Sequence, residues 1–289
     1  MKDGFININK AADMTSHDVV NIIRKILQTK KIGHGGTLDP FATGVLPVAV
    51  GRATKFIEYL SGFDKSYCAQ ILFGTATDTG DITGNVINSS EFTMPSLDDI
   101  NSALTSLTGV ISQTPPKFSA IKINGKKAYE LARKNIDFAI PERTVTIYKM
   151  SIVEITENTL TIDVDCSKGT YIRSLAVDIG SRLNIPATLK TLQRTRVGSF
   201  SIYDSLSVEE LKNVGESAMV DVEKCLLHLP KLELPEQRLK AFCSGLTTNL
   251  HTDLNADSIY RIYINDSFVG TGKVVEGEIK ADKLFYINN

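Results

Sequence analysis

The chain has 289 residues, a hydrophobic content of 42% and a formal net charge of −1 at pH 7. This length is enough for one large domain and a small one, and the composition is that of an ordinary soluble globular protein. The apolar runs stay well below the roughly 18 residues that a membrane span needs, and the N-terminal segment lacks the apolar region of a signal peptide. We therefore expect a cytoplasmic protein that does not enter a membrane.

The four cysteines and four histidines argue against a metal centre. Cys68, Cys166, Cys225 and Cys243 are scattered along the chain without CxxC spacing. We expect them to be buried thiols in a reducing compartment, and we expect no metal or cofactor.

The net charge conceals an uneven distribution. Residues 71–110 carry five acids and no base, residues 117–149 carry eight bases and three acids, and residues 168–196 carry six bases and one acid. The two positive segments could line one groove that binds a nucleic acid. On charge alone, a solvated surface with mixed patches is the slightly better explanation.

Helix and strand patterns alternate irregularly along the chain. A helix is predicted after Thr15 and Ser16, which are both suited to an N-cap, and it leads into a glycine-rich loop. Further helices are predicted over residues 96–109 and 170–183 and from about residue 126. Strand patterns cover residues 45–50, 66–74, 84–88, 144–155 and 159–167. Because the order is not a strict alternation of strand and helix, the sequence predicts an α+β fold with a mixed, largely antiparallel sheet flanked by helices.

Two prolines, Pro230 and Pro235, punctuate the chain after residue 228, and short strand patterns follow them. We therefore predict a larger domain, residues 1–228, and a small β-rich domain, residues 229–289. At roughly 60 residues, the second domain is near the lower limit for independent folding.

One acid stands out in the loop that follows the first helix. Asp39 is the only carboxylate in residues 31–51; three glycines precede it and Pro40 follows it. The glycines free the backbone and the proline stiffens it. Such a loop beside a buried strand can fix a reactive carboxylate, but it can also be an ordinary aspartate turn.

Five segments resemble, in the same order, the TruB-type tRNA pseudouridine synthases of bacteria. They are GHGGTLDPFATGVLPVAVGRATK, DKSYCAQILFGTATDTGDITG, QTPPKFSAIKINGKKAYELAR, CSKGTYIRSLAVDIG and LKTLQRTRVGSF. The resemblance implies an enzyme that isomerises uridine 55 in the T-loop of tRNA without a metal or a cofactor. One departure lies near the N-terminus, where Ala11 and Asp13 replace the proline and glycine of a Lys-Pro-x-Gly run, so a looser turn is expected there.

The resemblance also implies roles for individual residues. Asp39 becomes the catalytic carboxylate, and Arg173 pairs with it, keeps it ionised and fixes its rotamer. During cleavage of the glycosidic bond, a carboxylate can stabilise charge at the sugar, add covalently or take a proton, and all three roles stay open. Tyr67 stacks on the target base, and its hydroxyl hydrogen-bonds or shuttles a proton. Tyr171 and Leu192 match further positions of the base pocket; these three residues also fit plain core packing.

Other polar residues receive weaker assignments. By resemblance, His34 fills the gap that the extruded uridine leaves in the T-loop, although a half-exposed loop histidine explains it too. The basic residues suited to phosphate contacts are Lys10, Lys122, Arg133, Arg143 and Lys190. Asp78 and Asp81 lie in a loop rich in glycine and threonine, and we expect them to cap turns and not to bind a metal.

The favoured interpretation is a stand-alone isomerase that acts as a monomer on the T-arm stem-loop of tRNA, with no obligatory protein partner. Residues 229–289 weakly resemble a PUA-type RNA-binding module. A guide-RNA-dependent relative is the first alternative, but such relatives usually carry a larger tail with basic extensions. A non-catalytic tRNA-binding or tRNA-folding protein is the second alternative, and it would not need both Asp39 and Arg173.

Overall fold

The structure is a computed structural model, and it describes residues 3–123, 125–134, 136–249, 254–256 and 258–285. The strands and helices, in chain order, are β1 (Gly4–Lys10), α1 (Ser16–Ile26), β2 (Ile32–His34), β3 (Thr43–Val50), α2 (Ile57–Ser61), β4 (Lys65–Phe73), β5 (Thr75–Thr77), β6 (Val86–Ser89), α3 (Leu97–Ser106), β7 (Gly109–Gln113), β8 (Lys122–Ile123), β9 (Lys126–Lys127), α4 (Ala128–Ala132), β10 (Arg143–Ile155), β11 (Thr159–Cys166), α5 (Ile172–Arg182), β12 (Ala187–Val197), β13 (Phe200–Ser201), α6 (Val208–Val214), α7 (Val222–Cys225), β14 (Lys231–Glu233), α8 (Leu239–Cys243), β15 (Ile259–Ile264), β16 (Ser267–Val275) and β17 (Glu278–Leu284). Short 3₁₀ turns, among them Gly51–Phe56, connect several of these elements.

A large mixed sheet forms the centre of the molecule. Its strands lie in the order β1-β3-β12-β4-β11-β10-β7, with β2 paired to β3 and β13 paired to β12. The pairing of β12 with β3 is parallel, whereas the other pairings along this order are antiparallel. The predicted α+β fold with a largely antiparallel sheet is therefore confirmed.

Helices α1, α3 and α5 cover one face of this sheet. Alternate side chains of β4 are buried, from Tyr67 to Phe73, because successive residues of a strand point to opposite faces. They pack in one apolar cluster with residues such as Ile23 of α1 and Leu175 of α5. The predicted first helix is confirmed: Thr15 accepts a hydrogen bond from the Asp18 amide, and the Asp18 carboxylate caps Thr15 in return.

A second sheet, β14-β15-β16-β17, lies at the C-terminal end of the chain. It has its own small apolar cluster, yet it also packs against the segment between β3 and β4. The rings of Phe268 and Phe285 contact Phe56, and the Tyr59 hydroxyl donates to Asp282 Oδ2 at 2.6 Å. The C-terminal sheet is thus docked on the large sheet. In the described part of the chain, no helix is both long and apolar enough to cross a membrane.

Candidate active site

The loop between β2 and β3 carries Asp39, and buried donors hold its backbone on the N-terminal side of that residue. The Arg194 guanidinium donates from Nη2 to the Gly36 carbonyl at 3.1 Å and from Nη1 to the Thr37 carbonyl at 3.3 Å. The Ser16 hydroxyl accepts from the Leu38 amide at 2.9 Å and lies 3.3 Å from the Leu38 carbonyl.

On the C-terminal side, the same loop is held as tightly. The Asp39 carbonyl accepts from the Ala42 amide at 3.1 Å, and the Pro40 carbonyl accepts from the Asp13 amide at 2.9 Å and from Lys10 Nζ at 3.1 Å. Each carbonyl from Gly36 to Pro40 therefore has a protein partner, and the backbone that carries Asp39 is fixed.

Arg173 pairs with Asp39 as expected. It lies in the first turn of α5 and is buried, with Nε 3.0 Å from Asp39 Oδ2 and Nη2 3.4 Å from Oδ1. Burial raises the pKa of the Asp39 carboxyl, and the positive charge of Arg173 opposes that rise. The result is a carboxylate with a fixed orientation and more basicity than a solvated aspartate.

Asp81 is a second carboxylate at this site, and the sequence interpretation of it was incomplete. Its Oδ1 accepts from the Thr79 hydroxyl and the Thr83 amide, which are the expected turn contacts. Its Oδ2, however, lies 3.4 Å from Arg173 Nη1, and the Asp81 side chain is only 5% exposed. Asp78, by contrast, makes ordinary turn contacts with Asn85. Within the described residues, no group of histidine, cysteine and acidic side chains could hold a metal ion.

A cavity of about 580 Å³ opens above this pair. Tyr67 and Leu192 line it from the central strands β4 and β12, and Tyr171 lines it from the start of α5. Gln113 fixes the Tyr171 backbone, since its side chain accepts from the Tyr171 amide at 2.8 Å and donates to the carbonyl at 3.1 Å. Burial raises the pKa of both Tyr67 and Tyr171, so both phenols stay neutral near pH 7. The structure therefore brings the three predicted pocket residues together with Asp39 and Arg173.

Two buried or half-buried cations in the cavity wall were missed by the sequence analysis. Arg194 is 2% exposed, and Lys65 is half-buried with its pKa lowered to about 8, chiefly by burial. Strand periodicity could have predicted both, because residues two positions apart on a strand point to the same face. Lys65 is two positions from Tyr67 on β4, and Arg194 is two positions from Leu192 on β12.

The predicted phosphate contact at Lys10 is wrong. Lys10 is completely buried, and its Nζ donates to the carbonyls of Ala11, Met14 and Pro40 at 2.8, 2.7 and 3.1 Å. These acceptors occupy the three N–H groups of an ammonium, which leaves none for a phosphate.

The other basic residues and His34 stay predictions. Lys122, Arg133 and Arg143 are exposed, Arg133 at the cavity rim, while Lys190 is half-buried at a bulge in β12. His34 is half-buried at the end of β2, and its Nδ1 has no hydrogen-bond partner. Burial and then the Arg194 charge lower the His34 pKa, so the ring is neutral at pH 7.

The two positive segments of the sequence meet at this one cavity. Residues 117–149 contribute Tyr129 and Arg133, and residues 168–196 contribute Tyr171, Arg173 and Arg194 among others. A fixed aspartate paired with an arginine, under aromatic side chains and in a cationic cleft, defines a site suited to an extruded nucleobase.

Comparison with known proteins agrees with this class of site. Residues 24–172 match the model of the family described as "TruB family pseudouridylate synthase (N terminal domain)", and the chain belongs to this family. A protein of Clostridium kluyveri named tRNA pseudouridine synthase B is 41% identical over 288 residues, covering 98% of this chain and 99% of the relative. A protein of the same name from Caldanaerobacter subterraneus subsp. tengcongensis is 42% identical over 287 residues, covering 98% and 99%. The resemblance inferred from the sequence is thereby confirmed.

Solved structures show the same fold. A chain of a Cbf5-Nop10-Gar1 complex superposes with a TM-score of 0.76 at 28% identity, covering 98% of this chain and 85% of that one. A chain of an H/ACA RNP bound to a substrate RNA containing 2′-deoxyuridine superposes with a TM-score of 0.75 at 26% identity, with coverage of 98% and 85%.

Proposed function

We propose that the protein isomerises uridine 55 in the T-loop of tRNA to pseudouridine. The observation that carries this proposal is the contact of Asp39 with Arg173 at the base of a cavity lined by Tyr67 and Tyr171. The names of the two bacterial relatives support tRNA as the substrate.

In the reaction, the bond between C1′ of the ribose and N1 of uracil breaks, the base turns, and C1′ bonds to C5. The proton at C5 is lost and N1 gains a proton, so the atoms and electrons balance without a cofactor. Asp39 faces the sugar and stabilises its charge, adds to it or accepts a proton, while Arg173 keeps the carboxylate ionised and oriented.

The base has to leave its stack to reach Asp39, at a cost of a few kcal/mol. Stacking on the Tyr67 ring offsets part of this cost, since each contact of a base with an aromatic ring contributes roughly 1–3 kcal/mol. Leu192 and Tyr171 complete the walls of the base pocket, and His34 occupies the gap left in the T-loop. The Tyr67 phenol, neutral in this setting, hydrogen-bonds the base or carries a proton during its rearrangement.

We further propose that the enzyme acts in the cytoplasm as a monomer without an obligatory protein partner, and that residues 229–289 form a PUA-like RNA-binding module. The guide-dependent alternative receives less support, because the bacterial relatives are 41% and 42% identical and the H/ACA chains only 26% and 28%. A non-catalytic binding protein would have no need for a buried arginine fixed on an aspartate.

The test is mass spectrometry of a tRNA transcript after incubation with the pure protein and carbodiimide labelling of pseudouridine. A label at position 55 alone is the expected result. A transcript with cytidine at position 55 is the control, and Asp39→Asn is the control protein. Intact binding with no label on the uridine transcript would favour the binding-protein alternative.

A further inference from the structure

Arg194 is a buried cation that lacks the usual reason for being buried. It is 2% exposed, and among the described residues no carboxylate forms an ion pair with its guanidinium. A buried charge without a counter-charge is costly unless its donors are all used. The burial of Arg194 must therefore be explained by the groups that its guanidinium binds.

Arg194 stands at the junction of the strands that carry the reacting groups. On β12 it pairs with Gly44 of β3 on one side and with Tyr67 of β4 on the other. The approach to β3 is so close that a Cβ on Gly44 would lie 2.2 Å from the Arg194 carbonyl oxygen, and Gly44 has a φ of +102°. The Arg194 backbone is thus fixed against both neighbouring strands.

The guanidinium extends this junction to the loop that carries Asp39. Its Nε donates to the Val45 carbonyl at 2.8 Å, and Nη1 and Nη2 donate to the Thr37 and Gly36 carbonyls. Tyr67 is the cross-strand partner of Arg194 on β4, and both side chains line the cavity. Arg194 therefore binds the loop of the catalytic carboxylate and stands directly beside the strand position of the aromatic residue expected to stack on the base.

We propose that Arg194 is a positioning residue that sets the placement of Asp39 relative to Tyr67 around the bound uracil. The proposal rests on the proposed function. Only the rigid fork of an arginine satisfies these directions together, because a lysine has one nitrogen and cannot reach carbonyls on both sides. A shift of about 1 Å in the reacting groups costs on the order of a hundredfold in rate, so the effect is expected in turnover and not in RNA binding.

The experiment compares Arg194→Lys with the wild type on a T-arm RNA hairpin, measuring kcat, the Kd of the hairpin and the urea midpoint of unfolding. Arg24→Lys is the matched control, because Arg24 also donates to a backbone carbonyl, that of Ile32, and does not line the cavity. We expect Arg194→Lys to lower kcat by about a hundredfold with Kd within about threefold of wild type. Arg24→Lys should leave both values unchanged.

Double substitution tests whether Arg194 acts through Tyr67. In a Tyr67→Phe background, Arg194→Lys should lower kcat by a clearly smaller factor than in the wild type, because the phenol next to Arg194 is already absent. Fully multiplicative losses, an unchanged kcat, or a rise in Kd as large as the fall in kcat would each overturn the proposal. Arg194→Gln, which keeps planar donors, is the second variant if Arg194→Lys does not fold.

A nitrogen-15 NMR measurement of the arginine side chains separates this proposal from the substrate assignment. The Nε–H of Arg194 should exchange slowly with solvent, and its signal should shift in Tyr67→Phe but not in Tyr203→Phe, a control at a tyrosine that is 95% exposed. If the wild type isomerised no hairpin, the substrate assignment would fail, and this NMR result would still decide the role of Arg194: rapid exchange or an unmoved signal refutes it.

Discussion

Asp39 and Arg173 are 134 positions apart in the chain, yet their side chains meet at two points, Nε to Oδ2 and Nη2 to Oδ1. Arg173 also donates to the Thr79 and Phe118 carbonyls and lies against Asp81. The arginine is therefore held independently of Asp39, and it presents a fixed surface to the catalytic carboxylate.

Asp39→Asn should abolish isomerisation while the RNA still binds. The amide keeps the shape of the side chain but cannot stabilise a cationic sugar, add to it or accept a proton, so a loss of about a thousandfold or more in kcat is expected. RNA binding depends on many phosphate contacts and should persist. Single-turnover rates and a filter-binding assay measure the two effects, and residual turnover within about tenfold of wild type would falsify the role of Asp39.

Asp81→Asn should lower activity and shift its dependence on pH. The Asp81 charge contributes to the raised pKa of Asp39, so its removal should lower that pKa and move the acid limb of the pH–rate profile to lower pH. Without the Asp81 charge, Arg173 is held less firmly, and kcat should fall by about tenfold or more. Asp78→Asn is the control, because the Asp78 carboxylate accepts hydrogen bonds from Asn85 in the same turn. An acid limb that stays in place would contradict the coupling of the two carboxylates.

Lys10 should make the free energy of unfolding increase with pH in the alkaline range. Burial lowers its pKa from the ordinary 10.5 to about 8. Between these values the unfolded chain binds more protons than the folded one, so the free energy of unfolding contributed by this group increases as the pH rises from 8 to 10.5. Urea titrations of the wild type and Lys10→Met over this range should show a steeper rise for the wild type. Parallel curves would show that Lys10 does not titrate as stated.

RNA binding should weaken steeply with salt even though the net charge of the protein is −1. The positive segments meet at one cavity, and bound phosphates release counterions. Lys122→Gln and Arg143→Gln should each reduce the slope of log Kd against log salt by about 1. Lys212→Gln makes the same change in net charge on helix α6, where Lys212 pairs with Glu209, and should leave the slope unchanged. Equal effects of all three would show that only net charge matters.

Tyr59→Phe should destabilise the docking of the C-terminal sheet. The Tyr59 hydroxyl donates to Asp282 and lies 2.7 Å from the Thr271 hydroxyl, so its removal leaves these groups short of a partner. A loss of about 1–3 kcal/mol in the free energy of unfolding is expected. Tyr203→Phe, at an exposed position, should change nothing. Denaturant unfolding measures both, and equal midpoints for the two variants would contradict the role of this contact.

The sequence was most informative where local rules act alone. The Thr15 cap and the mixed order of elements were predictable, because capping and strand periodicity depend on neighbours in the chain. The contact of Asp39 with Arg173 came from the family resemblance, since no spacing rule links residues so far apart. Asp81 was interpreted as a turn acid because its loop is rich in glycine and threonine. Its Oδ1 does make such turn contacts, and only the fold reveals what Oδ2 meets.

The wrong assignment of Lys10 and the omission of Arg194 have a common physical cause. Lysine and arginine are rarely fully buried, so a solvated side chain or a phosphate contact is the natural expectation from sequence. Both cations are instead buried around backbone carbonyls of one loop. The exposure of a charged residue depends on which carbonyls the fold leaves without a partner, and that is decided by distant segments.

The saturated backbone from Gly36 to Pro40 has a consequence for how enzyme and RNA adapt to each other. Because every carbonyl from Gly36 to Pro40 is already bound by protein, bending this segment towards a substrate would break several buried hydrogen bonds at once. Adaptation then falls to the nucleic acid: the ribose has to swing, and the strand has to deform, until the sugar meets an immobile carboxylate. An RNA whose loop is easily unstacked should therefore react faster than a stiff one, even when the two offer the same bases.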